Sequence, residues 1–227
     1  ALLINSLGTD NLCRALLKLG VGKLIYLSTF HVYGAHSGNI DEMSDISPLN
    51  DYGLTHYFAE KYIEKYGASS SLNYVIFRLT NSYGCPKDIA TDKWYLIFND
   101  FCKQAFDNSE IVIRGNPLAR RDFIWMGDVV KIIAEVIKST SIVNTCLNLS
   151  SSQSVSLMDL AEIVSSVYID FIGHDLDVVY AGDSCDVEEL KVSNRKLIEV
   201  LPFSFSDQFH EESRKIFELL NSRAQID

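Results

Sequence analysis

Apolar positions recur along this chain with two different periods. Between 5 and 19, Leu7, Leu12, Ala15, Leu16 and Leu19 return at helical spacing. This predicts a helix with Thr9 or Asp10 in its first turn, stopped by Gly20 and Gly22. The run Lys23-Leu24-Ile25-Tyr26-Leu27-Ser28-Thr29 is short and apolar, the signature of a buried parallel strand. A polar loop leads to Pro48, a turn, and a helical pattern follows over 52–66. A second buried strand is predicted at 74–80. Helices and strands alternating over short connections make the rhythm of an open α/β sheet. Ligands of such sheets bind beyond the carboxyl ends of the strands, where Ser28, Thr29, Thr80 and Asn81 fall.

The texture changes at Gly84. Cys85-Pro86-Lys87-Asp88 predicts a loop, 94–106 a helix, and 111–114 a strand ending at Gly115. Arg120 to Asp128 leads into a helix over 129–138, and a strand follows at 146–149. Ser156 caps a helix running to 167, with Asp159 in its first turn. A strand at 177–180 and helices at 194–201 and 207–220 complete the chain. Internal repeats and low-complexity tracts are absent from the sequence.

Composition narrows the classes. The 227 residues are 47% apolar and 22% charged, an ordinary globular balance with enough chain to bury a substantial core. A net charge of −10 argues against a nucleic-acid partner and against anionic membrane, yet leaves room for a small anion held by a few arginines. No apolar run approaches membrane-spanning length. The five scattered cysteines form no zinc-type spacing, which predicts reduced thiols, a cytoplasmic location and no metal site. The chain starts at Ala1, inside a helical pattern, so a further N-terminal part is expected upstream.

Candidate chemistry gathers at Tyr52 and His56. Four residues apart on one helix, they share a face. A phenol beside a titratable nitrogen suits acid/base work. The same spacing also describes a surface tyrosine and histidine at the start of an amphipathic helix, and the local pattern leaves both readings open.

Five motifs in register decide between them. Asn5-Ser6-Leu7-Gly8-Thr9 resembles N-x-x-G-T, and Ser28-Thr29-Phe30-His31-Val32-Tyr33-Gly34 resembles S-[ST]-x-x-V-Y-G. The stretch from Pro48 to Lys61 resembles P-x-x-x-Y-x-x-[ST]-K-x-x-A-E. Phe77 to Gly84 resembles F-R-x-x-N-x-Y-G, and Arg121-Asp122-Phe123-Ile124 with Asp128-Val129 resembles R-D-[FY]-[IV]-x-x-x-D-[VL]. Together they resemble the extended branch of the short-chain dehydrogenase/reductase superfamily, the NAD-dependent nucleotide-sugar epimerases and dehydratases.

The resemblance implies an α/β fold: the C-terminal part of a doubly wound Rossmann sheet plus a smaller α+β substrate-binding domain. Residues 1–84 would belong to the first, 85–227 mainly to the second, with 125–149 returning to the Rossmann sheet. It implies NAD or NADP as cofactor and a nucleotide-diphosphate sugar as substrate. Tyr52 as phenolate takes the proton of a sugar hydroxyl while the cofactor takes the hydride from the same carbon. Thr29 orients that oxygen, and His56 stands in the catalytic lysine's place. Leu27, Ser28, Tyr52, His56, Leu79 and Thr80 would face the cofactor. Thr29, Phe30, His31, Asn81 and Arg121 would face the substrate. The helices at 5–19 and 52–66 are the pair through which relatives form homodimers.

Three departures qualify this. The Gly-rich dinucleotide loop is absent from the sequence, which places the first strands of the fold upstream of Ala1 and leaves the sheet with an open apolar edge. His56 replaces a lysine that binds the nicotinamide ribose and whose charge assists the tyrosine. With an intrinsic pKa near ~6.5, a histidine is mostly neutral at neutral pH. Tyr57 and Lys61 also spell Y-x-x-x-K, but lie ~140° around the helix and read as a decoy. Finally, Tyr180-Ala181-Gly182-Asp183 falls where many relatives have R-P-G-D, which leaves Arg121 as the main diphosphate ligand. Phe30-His31 replaces the two carboxyls of the sugar dehydratases, so the resemblance implies an epimerase or a closely related ketoreductase. The alternative is a non-catalytic relative that binds nucleotide or a partner through the same fold.

Overall fold

A computed structural model describes residues 1–183, 185 and 188–224; the end of the 85–227 segment, 225–227, lies outside the described residues. The chain opens with a π-helical turn, Leu2–Leu7, running into α1 (Gly8–Lys18), so the first helix begins earlier than its pattern predicts. Strand β1 (Lys23–Thr29) leads through a 3₁₀ turn, Phe30–Val32, and a short β2 (Gly38–Ile40) to α2 (Asp51–Ser69). Strands β3 (Asn73–Leu79) and β4 (Asn81–Tyr83) follow, then a 3₁₀ turn at Lys93–Tyr95, α3 (Ile97–Asn108) and β5 (Glu110–Ile113). Next come β6 (Arg120–Trp125), α4 (Met126–Lys138), β7 (Thr145–Leu149) and β8 (Ser154–Ser156). The remaining elements are α5 (Leu157–Ile172), β9 (Asp177–Tyr180), β10 (Leu190–Val192), α6 (Arg195–Val200) and α7 (Phe209–Ala224).

The architecture is α/β and Rossmann-like. Its main sheet is parallel, ordered β1-β3-β7, with Thr29 opposite Leu79 and Leu79 opposite Leu149. Strand β3 explains the layering. Val75 and Phe77 pack with Val129, Ile132 and Val136 of α4, whereas Ile76 packs with Cys13 of α1 and Ile63 of α2. Alternate residues of a strand face opposite sides, so helices cover both faces. Arg78 shares the parity of Ile76 and therefore points toward α2, where it meets Glu60. A second core joins α3, α5, α7 and β5 around Phe98, Phe101, Val164, Ile216 and Phe217.

Several strands escape the sequence pattern. Strands β2, β4, β8 and β10 span three residues each, too few to show a period. Their partners are distant: β10 pairs with β2, and β6 lies between β4 and β8. The stretch from Arg120 to Trp125, expected only as a lead into a helix, is a strand because Asn81–Tyr83 pairs along Phe123–Trp125.

Candidate active site

The site lies where β1 and β3 end. Thr29, the last residue of β1, caps the 3₁₀ turn and accepts a hydrogen bond from the His31 backbone N–H (3.2 Å). Among the described residues its own hydroxyl proton has no acceptor. Helix α2 starts with Asn50 as its cap, Oδ1 accepting from Gly53 N–H at 2.8 Å. Gly53 is required by close approach: a Cβ there would sit 2.5 Å from the His31 carbonyl oxygen. That contact brings Tyr52 against the end of β1. Its ring stands edge-on to His31 (centroids 5.8 Å) and to His56 (4.6 Å).

A cavity of roughly 450 Å³ opens here. It gathers Thr29, Phe30, His31, Tyr52, Leu79, Thr80, Asn81 and Arg121 into one wall. Ser28, Leu27 and His56 lie outside that wall. The Ser28 hydroxyl donates to Glu60 Oε1 at 2.5 Å, Leu27 lies exposed on the edge strand, and His56 Nδ1 meets Tyr26 Oη at 2.8 Å. Thr80 lines the cavity, but its hydroxyl donates inward to Asp122 Oδ1 (2.6 Å). The Tyr57 and Lys61 pair is also outside the wall, with Lys61 bound to Glu64 at 2.7 Å. Tyr180 is exposed at the end of β9 and away from the cavity.

Sequence reasoning missed part of the lining. His36, Tyr95, Leu96, Ile97, Phe98 and Leu190 all reach the cavity. Of these, Tyr95 ends the second 3₁₀ turn and Leu190 opens the three-residue β10, elements too short for a periodic signature. The cavity wall includes no carboxylate, although the chain is acidic overall. Arg121 is half-buried and donates to the Arg120 carbonyl at 2.9 Å. No carboxylate among the described residues lies within ion-pair distance of it. Burial lowers its pKa, and burial followed by the His36 and Arg121 charges lowers that of His31. An uncompensated guanidinium in a partly desolvated wall favours an anionic ligand.

Asp122 lies behind the wall and braces it. It is 1% exposed and accepts from Thr80, from Ser150 Oγ (2.9 Å) and from the Ser151 backbone N–H (3.2 Å), while its carbonyl takes Asn81 Nδ2 (3.0 Å). Burial raises its pKa from 3.8 to about 6, against the pull of those donors. A carboxyl that binds its proton more tightly when folded adds stability below the unfolded value, and that stability is lost as pH rises through the folded one. Relative to Asp122→Asn, the parent is therefore expected to lose ~2–3 kcal/mol between about pH 4 and about pH 7. Urea unfolding of both proteins at the two pH values measures it, and a constant difference would sink it.

The model of the NAD dependent epimerase/dehydratase family matches residues 1–147. The chain belongs to this family. A putative UDP-glucose 4-epimerase of Methanocaldococcus jannaschii is 29% identical over 163 residues, 71% of this chain and 52% of that protein. The mouse dTDP-D-glucose 4,6-dehydratase is 32% identical over 135 residues, 59% and 37% of the two chains. The chain thus spans about half the length of the first curated relatives it matches. Among solved structures, RMD from Pseudomonas aeruginosa complexed with NADPH superposes with TM-score 0.82 at 21% identity, covering 98% of this chain and 74% of that one. The UDP-N-acetylglucosamine 4-epimerase of Methanobrevibacter ruminantium gives 0.82 at 23%, covering 97% and 70%. At these identities the superpositions show the fold, including the part beyond residue 147 that the family match leaves out.

The residues present fit the nicotinamide end of a dinucleotide. His56 Nε2 has no partner among the described residues, and no buried side-chain nitrogen or oxygen lacks one, so this nitrogen is accessible. It stands one helical turn from the Tyr52 phenol. No helix among the described residues is long and apolar enough to cross a membrane.

Proposed function

We propose that this chain carries the catalytic and sugar-binding portion of an NAD(P)-dependent nucleotide-sugar epimerase or a closely related ketoreductase. The observation that carries the proposal is the single cavity wall holding Thr29, Tyr52, Asn81 and Arg121. A bound nicotinamide supplies the hydride acceptor and donor. Tyr52 takes the proton from the sugar hydroxyl as its carbon is oxidised, and returns it on reduction. Thr29, with its proton uncommitted, holds that oxygen against the phenol. Arg121 offers its guanidinium to the diphosphate, and Asn81, held by the Asp122 carbonyl, faces the sugar or phosphate. Phe30 and His31 stand where the dehydratase carboxyls would be, which supports epimerisation or reduction over elimination. The relatives include both UDP-glucose epimerases and dTDP-glucose dehydratases, so the nature of the product is the discriminating result. A homodimer through the helices over 5–19 and 52–66 is supported by the outward Leu7, Leu12 and Phe58.

The test is incubation of the full-length protein with NAD(P) and UDP- or dTDP-hexoses, followed by product analysis. An epimer or a reduced sugar is expected. A 4-keto-6-deoxy product would overturn the exclusion of elimination. Failure to bind any dinucleotide would favour the non-catalytic alternative that His56 motivates. In the same assay Arg121→Ala is expected to weaken nucleotide-sugar binding by ~10–100-fold, the loss of a bidentate charged contact of ~1.5–3 kcal/mol. Unchanged affinity would remove Arg121 from the substrate site.

A further inference from the structure

We infer that Tyr26 is a positioning residue that locks His56 in its Nε2–H tautomer, making His56 a neutral hydrogen-bond donor toward the nicotinamide ribose. The ribose part of this inference rests on the function proposed above; the tautomer part does not.

The geometry begins on β1. Tyr26 leans toward α2, and its hydroxyl reaches His56 Nδ1 at 2.8 Å, with the rings tilted at 44° and centroids 5.8 Å apart. The other polar neighbour of this hydroxyl is Thr9, a weaker contact than the 2.8 Å bond to Nδ1. Nearby Thr9 has already given its proton to the Asn5 carbonyl (2.5 Å). A phenol is a better donor than acceptor, because its oxygen lone pair is drawn into the ring. Donation to Nδ1 requires a lone pair there, which leaves the imidazole proton on Nε2. Burial, with the charges of Glu60 and Tyr52 adding to it, pushes the Tyr26 pKa well above its ordinary value, so the O–H persists throughout the neutral range.

The rest of the imidazole's surroundings agree. The titratable groups that face His56 are Tyr26 from β1 and, from its own helix, Tyr52 and Glu60. Burial lowers the His56 pKa while Glu60 pulls the other way, and no carboxylate among the described residues pairs with the ring directly. With Nδ1 occupied and Nε2 accessible, the only donor left to offer a ligand is Nε2–H. A lysine at this place presents three donors and a fixed charge; His56 presents one donor and, at neutral pH, none of the charge.

The experiment uses the full-length protein carrying nitrogen-labelled histidine, read by long-range proton–nitrogen correlation near neutral pH without added ligand. The expected result is a His56 ring with a protonated Nε2 and an unprotonated Nδ1. In Tyr26→Phe the two nitrogen signals should move toward each other as both tautomers become populated. A protonated Nδ1 in the parent, or unchanged signals in the variant, overturns the lock. Affinity for NAD(P) is the second readout. Tyr26→Phe should weaken it ~2–10-fold, the worth of one hydrogen bond. In a His56→Gln background, where the amide donates without help from Tyr26, the same change should have no effect. Equal weakening in both backgrounds would make Tyr26 a packing residue and overturn the positioning role. Absence of dinucleotide binding by the parent overturns the functional reading and the ribose assignment together, and leaves the tautomer result standing.

Discussion

Replacing Tyr52 by Phe is expected to lower turnover of a nucleotide sugar by ~10²–10⁴-fold, the range for losing a positioned acid/base, with substrate affinity changed only a few-fold. The substitution removes one oxygen and keeps the ring. The edge contacts to His31 (5.8 Å) and His56 (4.6 Å) are contacts of rings, so Phe should preserve them. The Tyr52 side chain has no hydrogen bond within the described protein, and the residue is 48% exposed, so folding should be little affected. Its oxygen is therefore available to chemistry and is not needed to hold the helix. The measurement is the kcat of both proteins in the product assay, alongside equilibrium binding. Turnover within tenfold of the parent would show that the proton passes elsewhere, and the enzymatic reading of Tyr52 would fall.

The second large effect concerns stability. Glu60→Ala is expected to cost ~3–5 kcal/mol, because it leaves a buried guanidinium without its counter-charge. Glu60 is fully buried and Arg78 is 5% exposed. Arg78 donates through Nη2 to Oε2 at 2.8 Å and through Nε to Oε1 at 3.2 Å, and Nη1 reaches Tyr33 Oη at 3.0 Å. Burial opposes the charge, yet the carboxylate beside it raises the Arg78 pKa further above its ordinary value. Ser28 joins the same carboxylate from β1. The cluster ties the middle of α2 to two adjacent strands, and so sets where Tyr52, two turns earlier on α2, meets Thr29. Replacing both partners with apolar residues, Glu60→Leu with Arg78→Met, should recover most of the loss, since neither charge is then stranded. Urea midpoints for the single and double variants test this. A single-variant cost under about 1 kcal/mol would mean that water reaches the pair, contrary to its burial.

Much of this molecule is legible in its sequence wherever the information is local. The apolar run at 74–80 announces a strand buried on both faces, and the structure shows why: Val75 and Phe77 meet α4 while Ile76 meets α1 and α2. The motif around Tyr52 places the phenol on the first turn of a helix, and the structure starts that helix at Asp51, capped by Asn50. These features follow from covalent spacing, because a helix or strand converts sequence interval directly into direction in space. For the same reason Tyr57 and Lys61, with the right interval at the wrong angle, lie outside the cavity.

Other features depend on how separate segments come to lie together, and no interval encodes them. Tyr26 and His56 are 30 positions apart, and Thr80 and Asp122 are 42 apart. The first pair exists because α2 packs across β1, and the second because β4, directly after Thr80, pairs in parallel with β6. A tyrosine inside an apolar strand and an aspartate after two arginines have the same local pattern whether or not a partner waits across the sheet. Burial then makes the pairing matter: away from water a donor or carboxyl must find a protein partner, and which partner it finds is decided by how strands and helices pack. The sequence by itself therefore determined the elements, the family motifs and the acid/base candidate. Only the tertiary structure decided that Asp122 would brace Thr80 and Asn81 from behind the cavity, that Glu60 would bind Arg78, and that His56 would meet Tyr26.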